Sequence, residues 1–251
     1  MVIASLNVNS LLSHHDEIAL LIKEHGIHFL ALNETKIDES CSNELLQIEG
    51  YRFERLNRNR NGGGVAFYIR DTFKCDIRKD IPLSSLELIC AEITPPQSSP
   101  FCILSWYRPP SSPVDIFDKL EQVLSYLESE GREIILLGDT NCDLLPISED
   151  SSEQQVPNHI KRINDVYQSF RLEQVIKEAT RETTETSTLI DHVAVSNINN
   201  IVESGVYKVA LSDHYLVFAV RKFRGGLKKQ HKIIKTRQMK HFARSSFYQT
   251  F

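Results

Sequence analysis

Leu86-Glu87-Leu88-Ile89-Cys90-Ala91-Glu92-Ile93 and Phe101-Cys102-Ile103-Leu104-Ser105-Trp106-Tyr107 are two strand-length apolar runs with seven residues between them, too few for a crossover helix. The same reading extends outward. Ile134–Leu137 follows as a strand and Val65–Ile69 precedes as one. Ile3–Val8 and Phe29–Leu32 read as strands near the start, Val193–Val195 and Leu216–Val220 near the end. Helical periodicity is confined to three stretches. His15 to His25 carries Ile18, Leu21 and Ile22, with Gly26 placed to end it. Val114 to Glu130 carries Phe117, Leu120, Val123, Leu124 and Leu127, with Gly131 just past its end, and His159 to Phe170 is the third. Strands outnumber helices, and several neighbours leave no room for a helix between them. This predicts an α+β fold of mixed or antiparallel sheets with helices outside, rather than a doubly wound parallel sheet.

The chain has 251 residues, 41% hydrophobic and 25% charged, which suits one large domain or two small ones with a sizeable core. The apolar opening Met1-Val2-Ile3-Ala4-Ser5-Leu6 lacks the basic flank and length of a signal peptide, and no run approaches the ~18 apolar residues of a membrane span. The expectation is a soluble, intracellular protein with no membrane partner. Five cysteines, Cys41, Cys75, Cys90, Cys102 and Cys142, fall without a C-x-x-C pair, so free thiols are expected rather than disulfides or a thiolate zinc site.

The net charge of −4 hides an asymmetry. Residues 221–251 hold ten of the 29 Lys/Arg and none of the 33 Asp/Glu, which leaves the first 220 residues at −14. A body that acidic repels nucleic acid on average, so any such binding must be local to a cleft and assisted by metal ions or by the basic end. Gly225-Gly226, after Phe223, marks a boundary: residues 1–222 are expected to form the domain and 223–251 a basic tail or the start of a linker. Ser148–Gln155 is polar and low in complexity, and reads as an exposed loop inside the domain.

Five strands end in polar groups that an apolar strand does not need: Asn7 and Asn9, Glu34, Tyr107 with Arg108, Asp139 with Asn141, and Asp213 with His214. Each has a plain reading. Glu34 can begin a loop, Gly138-Asp139 can make a turn, Asn7 can satisfy backbone groups, and Ser212-Asp213-His214 can cap an element. Their coincidence at strand ends, which converge on one rim of a sheet, points instead to a site. Glu, Asp and Asn oxygens with one principal His make a hard oxygen set suited to Mg²⁺ or Mn²⁺ rather than zinc.

Ser5-Leu6-Asn7-Val8-Asn9, Leu32-Asn33-Glu34-Thr35, Ser105-Trp106-Tyr107-Arg108-Pro109-Pro110, Gly138-Asp139-Thr140-Asn141, Leu189-Ile190-Asp191-His192 and Leu211-Ser212-Asp213-His214 follow one another along the chain. In order and spacing they resemble the endonuclease/exonuclease/phosphatase superfamily, over about residues 3–221. Within it the chain looks most like the apurinic-type endonuclease domain of non-LTR (LINE-type) retrotransposons. The Tyr107-Arg108-Pro109-Pro110 string, the Gly62-Gly63-Gly64-Val65 turn and the tail segment Lys232-Ile233-Ile234-Lys235-Thr236-Arg237 carry that narrower likeness. The resemblance implies a four-layered α/β sandwich of two packed mixed β-sheets flanked by helices, of the DNase I-like kind.

It also implies roles. Glu34 would be the main metal carboxylate, with Asn7 or Asn9 and Asp213 near the same Mg²⁺, for which Mn²⁺ can substitute. Asp139 would orient or deprotonate the attacking water, a contribution of roughly 10²–10⁴-fold. Asn141 and Tyr107 would donate to the phosphate, and His214, oriented by Asp191, to the scissile group. Thr180 and Arg108 are weaker candidates for substrate contact; Arg108 can equally pair with a surface carboxylate. Asp191 with His214 also suits a serine hydrolase, but the chain has no Gly-x-Ser-x-Gly elbow. Gly62-Gly63-Gly64, preceded by Arg58 and Arg60, resembles a phosphate-cradling loop, though a tight hairpin turn accounts for it more simply.

The expected activity is nicking of one DNA strand, leaving a 3′ hydroxyl, as in retrotransposon target-site cleavage. Abasic-site repair and a catalytically silent copy are the alternatives, with the phosphatase branch behind them. The partner is DNA, the state a monomer, and the location the nucleus, otherwise the cytoplasm. Relatives of this kind continue into a reverse transcriptase, which the 251 residues do not include, so the sequence reads as a fragment or truncated copy.

Overall fold

The computed structural model describes residues 1–81, 86–96, 98–146 and 156–223; the polar stretch 148–155 and the basic segment from residue 224 lie outside them. The first half contains β1 (Val2–Asn7), α1 (His15–Glu24), β2 (Phe29–Asn33), β3 (Tyr51–Leu56), β4 (Val65–Arg70), β5 (Cys75–Ile77), β6 (Glu87–Ile93) and β7 (Phe101–Tyr107). The second contains α2 (Ile116–Ser129), β8 (Glu133–Asp139), α3 (Asn158–Ser169), β9 (Glu173–Gln174), β10 (Arg181–Glu182), β11 (Ser187–Thr188), β12 (Asp191–Val195), β13 (Ile201–Tyr207) and β14 (Leu216–Arg221). No helix among the described residues is long and apolar enough to cross a membrane.

Two six-stranded sheets form, in the orders β13-β14-β1-β2-β4-β3 and β5-β6-β7-β8-β12-β9. Both are mixed: β1 runs parallel to β2, and β7 to β8, while the other neighbours are antiparallel. Side chains alternate between the two faces of a strand, and here both faces are covered. In β7, Phe101, Ile103 and Tyr107 enter the core between the sheets, whereas Cys102, Leu104 and Trp106 pack toward α2 and α3. In β1 and β2, Ile3, Phe29 and Ala31 face that central core, and Ala4, Leu6, Leu30 and Leu32 face the layer containing α1. The result is four layers, α1 over one sheet and α2 with α3 over the other. The fold is therefore an α+β sandwich of two mixed sheets with flanking helices.

All five cysteines are buried and unpaired. The Gly62–Gly64 run closes the β3–β4 hairpin, with an isolated bridge between Asn59 and Gly62. Gly138, by contrast, is not in a turn. It lies within β8 at φ 134°, where any Cβ would overlap the Trp106 carbonyl oxygen.

Candidate active site

The alternation that builds the central core also builds the site. Along β1, β2, β7, β8 and β12, the middle of each inward-facing row is apolar apart from the small buried hydroxyls of Ser5 and Ser105, and each row ends in a larger polar group at the same end of the sandwich. There the inward positions are Asn7, Asn33, Tyr107, Asp139 and Asp191. Register brings them together: Asn7 lies beside Asn33 in one sheet and Asp139 beside Asp191 in the other. The rim anticipated on one sheet is thus the shared end of two facing sheets.

Two asparagines tie those sheets together at this end. Asn7 Nδ2 donates to Asp139 Oδ2 at 2.8 Å, and Asn33 Oδ1 accepts the Asp139 amide at 2.8 Å. Asn33 is fully buried and also reaches Ser105 Oγ at 3.3 Å. Sequence reasoning did not single it out as a site residue. Its signal was present, because it shares the inward parity of Phe29 and Ala31 and the register of Asn7.

Asp139, Asp191 and His214 are all buried and each presents a ligand-capable atom within 4.8 Å of the others. His214 Nδ1 sits 2.8 Å from Asp191 Oδ2, which also accepts the Thr180 hydroxyl at 2.8 Å. Nε2 of His214 has no hydrogen-bond partner among the described residues. Burial disfavours charge on His214, yet the carboxylate of Asp191, by charge and hydrogen bond, with Asp139 and Asp213 beyond it, raises the imidazole to about 9. Burial also pushes the Asp139 carboxyl up, reinforced by the charge of Asp191, to about 7 despite the opposing His214, Asn7 and Asn141. The cluster is rich in buried negative charge, and Asp191 Oδ1 is a buried acceptor with no partner among the described residues.

Glu34 follows β2 directly and takes the left-handed φ of 50°, a conformation that costs a non-glycine residue about 1 kcal/mol or more. Its Oε1 accepts the Tyr107 hydroxyl at 2.7 Å, and Lys36 Nζ lies 3.4 Å from Oε2. Burial and the Glu34 carboxylate both push the Tyr107 phenol well above its usual range, so it stays a donor. Asn141, at φ 49°, donates its amide Nδ2 to the Arg108 carbonyl at 2.9 Å and its backbone N–H to Asp139 Oδ1 at 3.0 Å.

Four further expected residues lie around this cluster rather than within it. Arg108 has the opposite parity to Tyr107. It is 2% exposed, donates to the carbonyls of Thr140, Asn141 and Ser112, and lies 5.3 Å from the Phe117 ring centroid. It is thus turned to loop carbonyls, and it pairs with no carboxylate among the described residues. Thr180 is fully buried, its hydroxyl accepting the amides of Ile190 and Asp191 while donating to Asp191, so it holds that carboxylate rather than a phosphate. Asn9 is exposed and accepts from Lys36 Nζ, leaving Asn7 as the amide among the carboxylates. Asp213 lies at the rim, paired with Arg181 at 2.7 Å.

The oxygen donors of Glu34, Asp139, Asp191 and Asn7 fit a hard divalent cation, with no thiolate and an excess of negative charge, while the His214 imidazolium is left as a hydrogen-bond donor beside them. Over residues 4–214 the chain matches the endonuclease/exonuclease/phosphatase family. A search of curated protein sequences found no match. Among solved structures, it is similar to an AP endonuclease from Archaeoglobus fulgidus, with TM-score 0.71 and 18% identity over 88% of this chain and 99% of that one. A 3′-5′ exonuclease from Neisseria meningitidis gives 0.73 and 17% over 89% and 100%. The endonuclease domain of TRAS1, a telomere-specific non-LTR retrotransposon, gives 0.66 and 13% over 88% and 98%. At these identities the structural likeness speaks for the fold, and the family match rests on the sequence itself. The chain belongs to the endonuclease/exonuclease/phosphatase family.

Proposed function

We propose that the chain is a divalent-metal-dependent DNA endonuclease that hydrolyses one phosphodiester and nicks one strand, in the manner of retrotransposon target-site cleavage. The observation that carries the hydrolytic part is Asp139: a carboxylate raised to about 7, within 4.8 Å of a His214 raised to about 9. One accepts a proton near neutral pH while the other stays cationic, the division of labour that phosphoryl hydrolysis needs.

Asp139 takes a proton from the attacking water as its oxygen bonds to phosphorus. The P–O3′ bond breaks, and the departing 3′ oxygen is protonated by solvent. Imidazolium Nε2 of His214, fixed by Asp191 at Nδ1, donates to a non-bridging oxygen as negative charge builds there. The second amide hydrogen of Asn141 supplies one more donor, and Tyr107, whose single hydroxyl hydrogen goes to Glu34 Oε1, fixes that carboxylate. Glu34 and Asn7 would hold Mg²⁺, which when bound supplies positive charge to the pentavalent phosphate.

The retrotransposon reading is supported by the Tyr107-Arg108-Pro109-Pro110 and Gly62-Gly63-Gly64-Val65 strings and by the fold shared with the TRAS1 domain. Cleavage at abasic sites is the second reading, favoured by the fold shared with the archaeal AP endonuclease. Paired oligonucleotides, one intact and one with a single abasic site, separate the two. Comparable or better cutting of intact DNA supports the first, and strong preference for the lesion supports the second.

A further inference from the structure

The loop between β3 and β4 touches the back of the site through an ion pair that the reaction itself does not use. Arg58 Nη1 meets Glu87 Oε1 at 2.6 Å, and Arg58 Nε donates to the Gly62 carbonyl at 2.8 Å. The other oxygen of Glu87 accepts the Gly64 amide at 2.6 Å. Gly63 and Gly64 both have positive φ, 69° and 86°. A Cβ on Gly63 would overlap Arg58 and Glu87, and one on Gly64 would press on Thr35 Oγ1. The loop is therefore gripped on one side by Arg58 and Glu87. On the other side it grips the segment after β2: Thr35 N donates to the Gly64 carbonyl at 3.3 Å and Lys36 N to the Gly63 carbonyl at 3.0 Å.

That segment begins with Glu34, and Glu34 and Lys36 both sit in the left-handed region, at φ 50° and 51°. Neither residue favours that conformation by itself, and the backbone bonds from Thr35 and Lys36 to the glycine carbonyls hold it. Arg58 also lies 5.8 Å over the ring of Tyr107, whose hydroxyl bonds Glu34. We infer that Arg58 and Glu87 are positioning residues, a latch that acts through Gly62–Gly64 to hold the Glu34 carboxylate in its metal-binding pose. The inference rests on the metal-dependent reading of Glu34.

The test pairs two readouts on the whole chain. Amide hydrogen exchange of Thr35 and Lys36, measured by NMR without metal, reports the latch; Mn²⁺ binding, followed by the EPR signal of the free ion, reports its purpose. Arg58→Ala should speed Lys36 exchange by about tenfold or more and weaken Mn²⁺ binding by about 10–100-fold, the usual effect of losing a group that orients a ligand. Simple electrostatics gives the opposite sign, because removing a cation near the site should tighten cation binding. Glu87→Gln should follow Arg58→Ala, and Arg60→Ala, whose partners are Asp38 and Ser40, should change neither readout. Should Arg58→Ala unfold the chain, Arg58→Gln carries the same expectation. Unchanged or tighter Mn²⁺ binding in the Arg58 variant while the Lys36 amide opens would overturn the latch alone. An unaltered chain that binds no Mn²⁺ would overturn the metal reading and the latch's purpose with it.

Discussion

The substitution Asp139→Asn should make the metal-free fold more stable at alkaline pH while destroying cleavage. In the folded chain the Asp139 carboxyl is raised from 3.8 to about 7, first by burial and then by Asp191. A raised carboxyl keeps its proton in the fold after the unfolded chain has lost it. Stability is therefore full below the unfolded value and declines as pH rises toward the folded one. A rise of that size corresponds to a loss of about 4 kcal/mol by neutral pH. The amide variant escapes that loss but keeps one acceptor oxygen, so it cannot take both the Asn7 amide and the Asn141 backbone N–H, which returns about 1–2 kcal/mol. Removing the charge also weakens support for the His214 cation. The expected net is a gain of about 1–2 kcal/mol near pH 8 and close to zero near pH 5. For a chain of this size that is a rise of a few degrees in Tm at the higher pH. Urea unfolding in EDTA at the two pH values measures it. A variant less stable than the parent by the same margin at both would refute the assignment of a strained, buried carboxyl. Adding Mg²⁺ at about 100 times its Kd should return roughly 2.7 kcal/mol to the parent and much less to Asp139→Asn.

The other predictions concern the scaffold around that carboxyl. NMR titration of His214 should show the imidazolium surviving to about pH 9 in the parent; its stabilising effect is complete below about 6.5 and lost as pH passes through 9. Asp191→Asn should bring that titration down and with it the alkaline limb of the cleavage–pH profile. Gly138→Ala, which forces a methyl against the Trp106 carbonyl at φ 134°, should cost on the order of 3 kcal/mol in denaturant unfolding. Arg108→Met should lower stability by roughly 1–3 kcal/mol and slow turnover through the Thr140–Asn141 loop while leaving DNA affinity in filter binding unchanged; weaker DNA binding would return Arg108 to the substrate surface.

The strands and helices that pack on both faces were legible as apolar runs and periodicity, and their observed ends differ from the sequence reading by only a few residues. What escaped was the edge. β3, with Arg52, Glu54 and Arg55 among its aromatics, and β13, with exposed Val202 and Glu203, lie at the two ends of one sheet, where a strand need not be apolar. The two-residue strands β9, β10 and β11 are too short to leave a pattern. Within the site, Asn7, Tyr107, Asp139 and Asp191 could be found because a polar residue in inward register breaks an apolar alternation. The same rule, applied strictly, would have turned Arg108 away from the site and admitted Asn33. It offers no help with Thr180, which precedes β10 and belongs to no long strand. Glu34 and Asn141 owe their poses to left-handed backbone, which only the three-dimensional contacts of Gly63, Gly64 and Arg108 explain.

The most direct test of the account is nicking of supercoiled plasmid by the purified chain with Mg²⁺, against EDTA and against Asp139→Ala and His214→Ala. The account predicts open-circular product that requires the metal and disappears in both variants. Failure of the parent to cut either plasmid or an abasic oligonucleotide, or cleavage that survives both substitutions, would contradict it and leave a binding-only copy of the fold.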